Sequence, residues 1–283
     1  MLKRSVFLAL SALFYSSCAF SQLFDGRTGQ ETSLENLLSR VQAGHIVILG
    51  ENHGLASHKE QHLEILRGLR AKGLKVSVGM EFVNYTDQTY LDQYRAGALT
   101  EDQFLAAIKW GGYSFDFYRE QILFPALAFN ETTVGLNISR QITSKISRQG
   151  LESLDEAEQA LLPPAFTLGR ESYKTRFMLA AGHHCKSPLN CFTAQSAWDD
   201  TMAWQTAEFM QAHPDHVLVI VVGEFHVQYG GGLPDRIRAR LADARLVTVS
   251  QVNGEGMLDE EKQEQIEPSL TEGPRADFIW ISQ

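Results

Sequence analysis

The chain is short of several things, and each shortage excludes something. Three cysteines among 283 residues are too few for a disulfide scaffold. Acidic residues outnumber basic ones, 34 to 25, and a formal charge of −9 is the wrong sign for a phosphate backbone, so no nucleic-acid partner is expected. No uninterrupted apolar run approaches the ~20 residues of a membrane-spanning helix. Neither a Gly-X-Ser-X-Gly elbow nor a phosphate-cradling glycine loop occurs, which removes the usual serine-hydrolase and nucleotide-binding readings. What is present is ordinary: 44% hydrophobic and 21% charged residues, enough to build a sizeable core without staples.

The first residues read as an export signal rather than as fold. Lys3 and Arg4 precede a short apolar run, Val6 to Tyr15, and small residues follow at 16–19. Ala19-Phe20-Ser21 before Gln22 fits ordinary cleavage, giving a signal peptide of residues 1–21 and one domain over 22–283. Ser16-Ser17-Cys18 fits a lipoprotein site instead, with Cys18 acylated, although Tyr15 stands where a leucine is usual. Either route places the protein outside the cytoplasm, in the periplasm or at the outer membrane. In such an oxidising compartment Cys185 and Cys191 are expected to pair across the loop CKSPLNC; a metal site with the neighbouring His183 and His184 is the rival reading.

Strand and helix patterns alternate. Apolar runs at 45–49, 74–82, 132–137 and 216–222 read as buried strands, as do ARLVTVSQV and the terminal ADFIWIS. Between them, helical spacing runs over 57–72, 86–95, 100–109, 117–128 and 193–211, and Pro234 opens another helix. The acidic stretch EGMLDEEKQEQIEPSLTEG reads as a surface loop, and 138–190 as a helical cap. The expected fold is α/β, a mostly parallel sheet flanked by helices.

Two strands end alike. HIVIL runs into Gly50-Glu51-Asn52-His53, and HVLVIVV runs into Gly223-Glu224-Phe225-His226. Ligands in parallel sheets gather at the carboxyl ends of the strands, where Glu81 also falls. If these strands are neighbours, His53, His226 and Glu81 could hold zinc, manganese or cobalt, with Glu51 or Glu224 as general base of a metal-dependent hydrolase of peptidase or esterase type. Asp199, on the 193–211 helix with Gln195 and Met202, would brace a histidine from behind. His58 and His62 stand four apart on a helix, but no acid completes a protease pattern, and a polar helix face is the simpler reading. Trp110, Trp198 and Trp204 read as core or cap residues.

The stretches GENHGLASHKEQ, GMEFV, WGGYSFDFYREQILFPAL, VGLNISRQI, AQSAWDDTMAW and GEFHVQYGGGLPDRI, in this order over about 45–240, resemble the ChaN-like haem-binding uptake family of the Tiki/TraB/erythromycin-esterase-like superfamily. The resemblance implies an exported protein of haem and iron uptake, with haem as its ligand. It implies a tyrosine iron ligand, carried over to Tyr229, assisted by His226. It also implies a homodimer sharing haem, and outer-membrane haem uptake machinery as partner.

Overall fold

The computed structural model describes residues 21–282. All but the last residue of the expected export signal, and Cys18 with it, therefore lie outside the described residues. Four apolar stretches become adjacent strands of the sheet, β3 (His45–Glu51), β4 (Lys75–Asn84), β5 (Thr133–Asn137) and β6 (His216–Gly223), with β5 at the edge. β7 (Arg245–Asn253) and β8 (Phe278–Ser282) extend it, and two short N-terminal strands, β1 (Gln22–Asp25) and β2 (Glu31–Thr32), finish one edge. The order is β2-β1-β8-β7-β3-β6-β4-β5. Every pairing from β8 to β5 is parallel; β1 and β2 pair antiparallel.

Eleven helices accompany the described strands: α1 (Leu34–Ser39), α2 (Ala56–Ala71), α3 (Gln88–Arg95), α4 (Glu101–Ala107), α5 (Arg119–Leu123), α6 (Arg140–Gln149), α7 (Glu156–Gln159), α8 (Glu171–Ala181), α9 (Pro188–Ala212), α10 (Leu233–Arg240) and α11 (Asp259–Ile266). Because successive strand residues point to opposite faces, the central strands feed two cores. Val47, Leu49, Val219 and Val221 pack on one side with Leu63 and Leu66 of α2. Ile46, Ile48, Leu218 and Ile220 pack on the other with Met202 of α9 and Ile237 of α10. Covering both faces is what allows continuous apolar strands rather than alternating ones. Among the described residues no helix is long and apolar enough to cross a membrane.

Several expectations are corrected. The acidic stretch is not all loop: α11 forms there because Glu261 accepts from the Leu258 N–H and Ile266 buries beside Val252 and Ile281. The helix expected over 117–128 stops at Leu123: Phe124 still has helical backbone angles, but Pro125 has no N–H to continue the ladder. The long helix starts at Pro188, five residues before the expected 193, because proline suits a first turn whose N–H has no partner. Strands β1 and β2 and helix α1 were not expected at all; they are too short to leave a periodic signal.

Candidate functional site

Strands β3 and β6 are neighbours, and Glu51 stands opposite Gly223 in register. β4 lies on the far side of β6, with Met80 opposite Val221, so Glu81 reaches the same edge. The two Gly-Glu-X-His turns and Glu81 therefore meet.

Each histidine is held by a carboxylate that is itself held by a buried tyrosine. On one arm His53 Nδ1 lies 3.0 Å from Glu51 Oε1, which accepts from the Tyr118 hydroxyl at 2.7 Å. On the other, His226 Nδ1 lies 2.6 Å from Asp199 Oδ1, while Tyr173 donates to Asp199 Oδ2 at 2.9 Å. Burial, reinforced by the adjacent carboxylate, keeps both phenols above their ordinary range, so they remain donors.

The arms converge on Glu81. It lies 3.5 Å from His226 Nε2 and accepts the Gly223 N–H at 2.6 Å. A Cβ on Gly223 would stand 2.9 Å from His53 Nε2, so glycine is what lets the imidazole reach the strand end. Gly232, with φ of +60°, meets the second arm as closely: a Cβ there would be 2.9 Å from Asp199 Oδ1.

The electrostatics follow from burial and pairing. Burial opposes a charge on His226, but Asp199 and Glu81 outweigh it and push the imidazole up to about 10, so it is a cation at neutral pH. Burial likewise opposes a charge on Glu81, and the two histidines overcome it, leaving its carboxyl below the usual range. His53 is also raised: burial acts against the charge, while the Glu51 hydrogen bond and the Glu81 charge favour it.

A cavity of about 580 Å³ opens beside the site, walled by Glu51, His53, Gln195, Glu224 and His226 on its polar side. Tyr113, Phe177 and Phe225 supply its aromatic side. The His53 ring is one-quarter exposed to it. Gln195 lines the wall and donates to the Tyr173 oxygen at 3.0 Å.

Not every expected residue stands free in this cavity. Glu224 is engaged by Ser250 at 2.6 Å, by Arg275 at 2.8 Å and by Gln228. Tyr229 is outside the wall, its ring 4.9 Å from the Arg176 guanidinium and 6.0 Å from that of Arg275. Its φ of +56° is unusual for a non-glycine residue and holds the side chain in a tight turn. Among the described residues no three His, Cys, Asp or Glu are arranged as a metal-holding group; His53, Glu81 and His226 meet, but as ion-paired neighbours. Cys185 and Cys191 are bonded, their Cα atoms 6.4 Å apart. His58 and His62 are wholly buried behind Glu51, where burial holds both imidazoles below their ordinary value. Trp110 packs against Tyr118 and Phe115, and Trp198 against the α6–α9 core. Tyr118, Tyr173 and Tyr113 were missed from sequence: only their distance from the paired motifs in the fold, not in the chain, marks them.

A family model described as "Haem-binding uptake, Tiki superfamily, ChaN" matches residues 37–237. No curated protein matches the chain. Among solved structures, one described as "Cofacial heme binding to ChaN of Campylobacter jejuni" aligns with a TM-score of 0.65 at 17% identity. The match covers 93% of this chain and 97% of that one. At that identity the likeness shows a shared fold. An erythromycin esterase mutant in its open conformation aligns at 0.44 with 13% identity, over 82% of this chain and 77% of that one. The type III effector HopBA1 aligns at 0.40 with 14% identity, over 84% and 88%.

Proposed function

Since the chain belongs to the ChaN family of haem-binding uptake proteins in the Tiki superfamily, we propose that it binds haem at the carboxyl edge of its sheet, with Tyr229 as iron ligand. The observation that carries this is the family match over 37–237, which contains every residue of the paired motifs. The surroundings of Tyr229 support it: ferric iron suits a phenolate oxygen, and the Arg176 guanidinium, 4.9 Å from the ring, offsets part of the negative charge such a ligand brings. His226, with both nitrogens facing carboxylates, acts as a fixed cation in the wall behind the ligand rather than as a second iron ligand.

Export and uptake complete the proposal: the leader directs the chain to the periplasm or outer membrane, anchored there if Cys18 is acylated. Two copies then meet across the haem, as the cofacial description of the Campylobacter jejuni protein suggests. Tyr113, on the cavity wall and exposed, offers apolar surface for that contact.

The test is a haemin titration of residues 22–283 with Tyr229→Phe alongside, read by visible absorbance. A phenolate-type ferric spectrum, lost in the variant, is the expected result; saturable binding with an unaltered spectrum in Tyr229→Phe would move the ligand elsewhere, Tyr113 first.

The matched tyrosine–carboxylate–histidine arms favour a second reading, a hydrolase, because a haem carrier has no need of them. His53 is the group placed to take a proton there, since Glu51 fixes its Nδ1 and leaves Nε2 toward the cavity. Here a divalent metal on His53, Glu81 and His226 would have to displace the Glu81–His226 pairing. Turnover of ester or peptide substrates that survives chelator but not His53→Gln would establish the metal-free form.

A further inference from the structure

Beside the cavity lies a second cleft of about 360 Å³, and its chemistry is opposite. Helix α6 presents Arg140, Thr143, Ser144, Ser147 and Arg148 to it, two guanidiniums and three hydroxyls on one helical face. Both arginines are exposed, and neither forms an ion pair with a carboxylate among the described residues. The helix's other cation, Lys145, is already paired with Glu158. Two free guanidiniums over a hydroxyl-lined cleft make a receptor for carboxylates or phosphates.

The cavity itself cannot serve a carboxylate. It carries Glu51 and Glu224 on its wall with Glu81 and Asp199 behind them. Its cations are spent: His226 on Asp199 and Glu81, Arg275 on Glu224. Arg176 lies off the cavity wall and is enclosed, its Nε and Nη1 buried without a hydrogen-bond partner and its Nη2 donating to the Gln228 carbonyl. A further negative charge entering there faces these carboxylates with no unpaired cation among the described residues of the wall.

Cavity and cleft share their partition. Phe177 of α8 and Gln195 of α9 line both, so the wall between them is one side chain thick. The disulfide between Cys185 and Cys191 borders the same cleft and ties down the turn joining these helices.

We propose that Arg140 and Arg148 receive the two propionate carboxylates of bound haem, whose apolar macrocycle lies against Phe177. This assignment rests on the haem reading above and adds to it an orientation: the carboxylate edge toward α6, away from the acidic cluster. It gives the protein a means of distinguishing haem from porphyrins that lack free carboxylates.

Two pigments and two proteins separate the possibilities. Haemin and haemin dimethyl ester, whose carboxylates are blocked, are titrated into the wild type and into Arg140→Gln/Arg148→Gln, with thermal melts to establish that the variant is folded. The wild type is expected to prefer haemin by about tenfold or more, a charge-assisted contact's worth. The double variant should lose that preference while its affinity for the ester stays unchanged. Retention of the preference in the variant, or equal affinity of the wild type for both pigments, would overturn the assignment and leave haem binding intact. Failure of the wild type to bind either pigment would remove the haem reading and this assignment together.

Discussion

His226 is the residue on which the site's charge balance turns. Its imidazole is raised to about 10, against an ordinary value of 6.5, by two buried carboxylates that outweigh the cost of burial. A group raised on folding contributes stability that is complete below its unfolded value and lost as pH rises through the folded one. Thermal melts are therefore expected to fall progressively from about pH 6.5 to 10, and Asp199→Asn should flatten that slope by removing one of the two charges. An unchanged slope in Asp199→Asn would show that the pair does not hold the proton. Glu81 carries the opposite sign: its depressed carboxyl contributes stability above the ordinary 4.5, lost as pH falls through the folded value. At the same scale, Tyr173→Phe keeps the buried ring but deletes the donor to Asp199, and is expected to cost about 1–3 kcal/mol in urea melts. The place of Glu51, Glu81 and the two histidines at the strand ends was legible from type and position. Their tyrosine donors were not, because Tyr118 and Tyr173 sit 67 and 26 residues from the carboxylates they serve.

At the scale of elements, α9 does most to build the site. It brings Gln195 and Asp199 to the strand ends, and its next residue, Asp200, is fully buried against Arg236 and Arg240 of α10. Arg240 makes two hydrogen bonds of 2.7 Å to that carboxylate. Removing one partner strands a buried charge, so Asp200→Ala is expected to destabilise by about 3–5 kcal/mol, far more than an exposed acid such as Glu171. A loss below about 1 kcal/mol in urea melts would show that the clamp is dispensable. The disulfide closes a short loop that runs into the first turn of α9, with six residues of sequence separation. Its loss in Cys185→Ser/Cys191→Ser should cost about 2 kcal/mol, seen equally by reducing the wild type. The start of α10 was readable because Pro234 marks it; the start of α9 at Pro188 was not, because the helical spacing shows only from 193. α11 was hidden because its signal is a capping carboxylate within an otherwise polar run.

Across the described residues, the first and last strands are joined in one sheet: Gln22 pairs with Ile281 and Asp25 with Phe278. With the last strand held between β7 and β1, neither end can leave without exposing the edge of the central sheet. Residues 22–283 are therefore expected to melt in one cooperative calorimetric transition. Two resolved transitions would divide the cap over 138–190 from the sheet as a separate unit.

The sequence by itself determined the class of fold and the edge where the site lies. Unbroken apolar strands require helices on both faces, and a glycine followed by polar residues at a strand end requires that edge to carry chemistry. Spacing along the chain also marked Asp199 as sharing a helical face with Gln195. Only the tertiary structure decided which groups meet. Strand order put β6 between β3 and β4, and so turned two distant motifs and Glu81 into one ion-paired cluster. It also set Tyr229 outside the cavity and placed Arg140 and Arg148, without a carboxylate partner among the described residues, beside it, because adjacency across a sheet and its helices depends on topology, which no local pattern records.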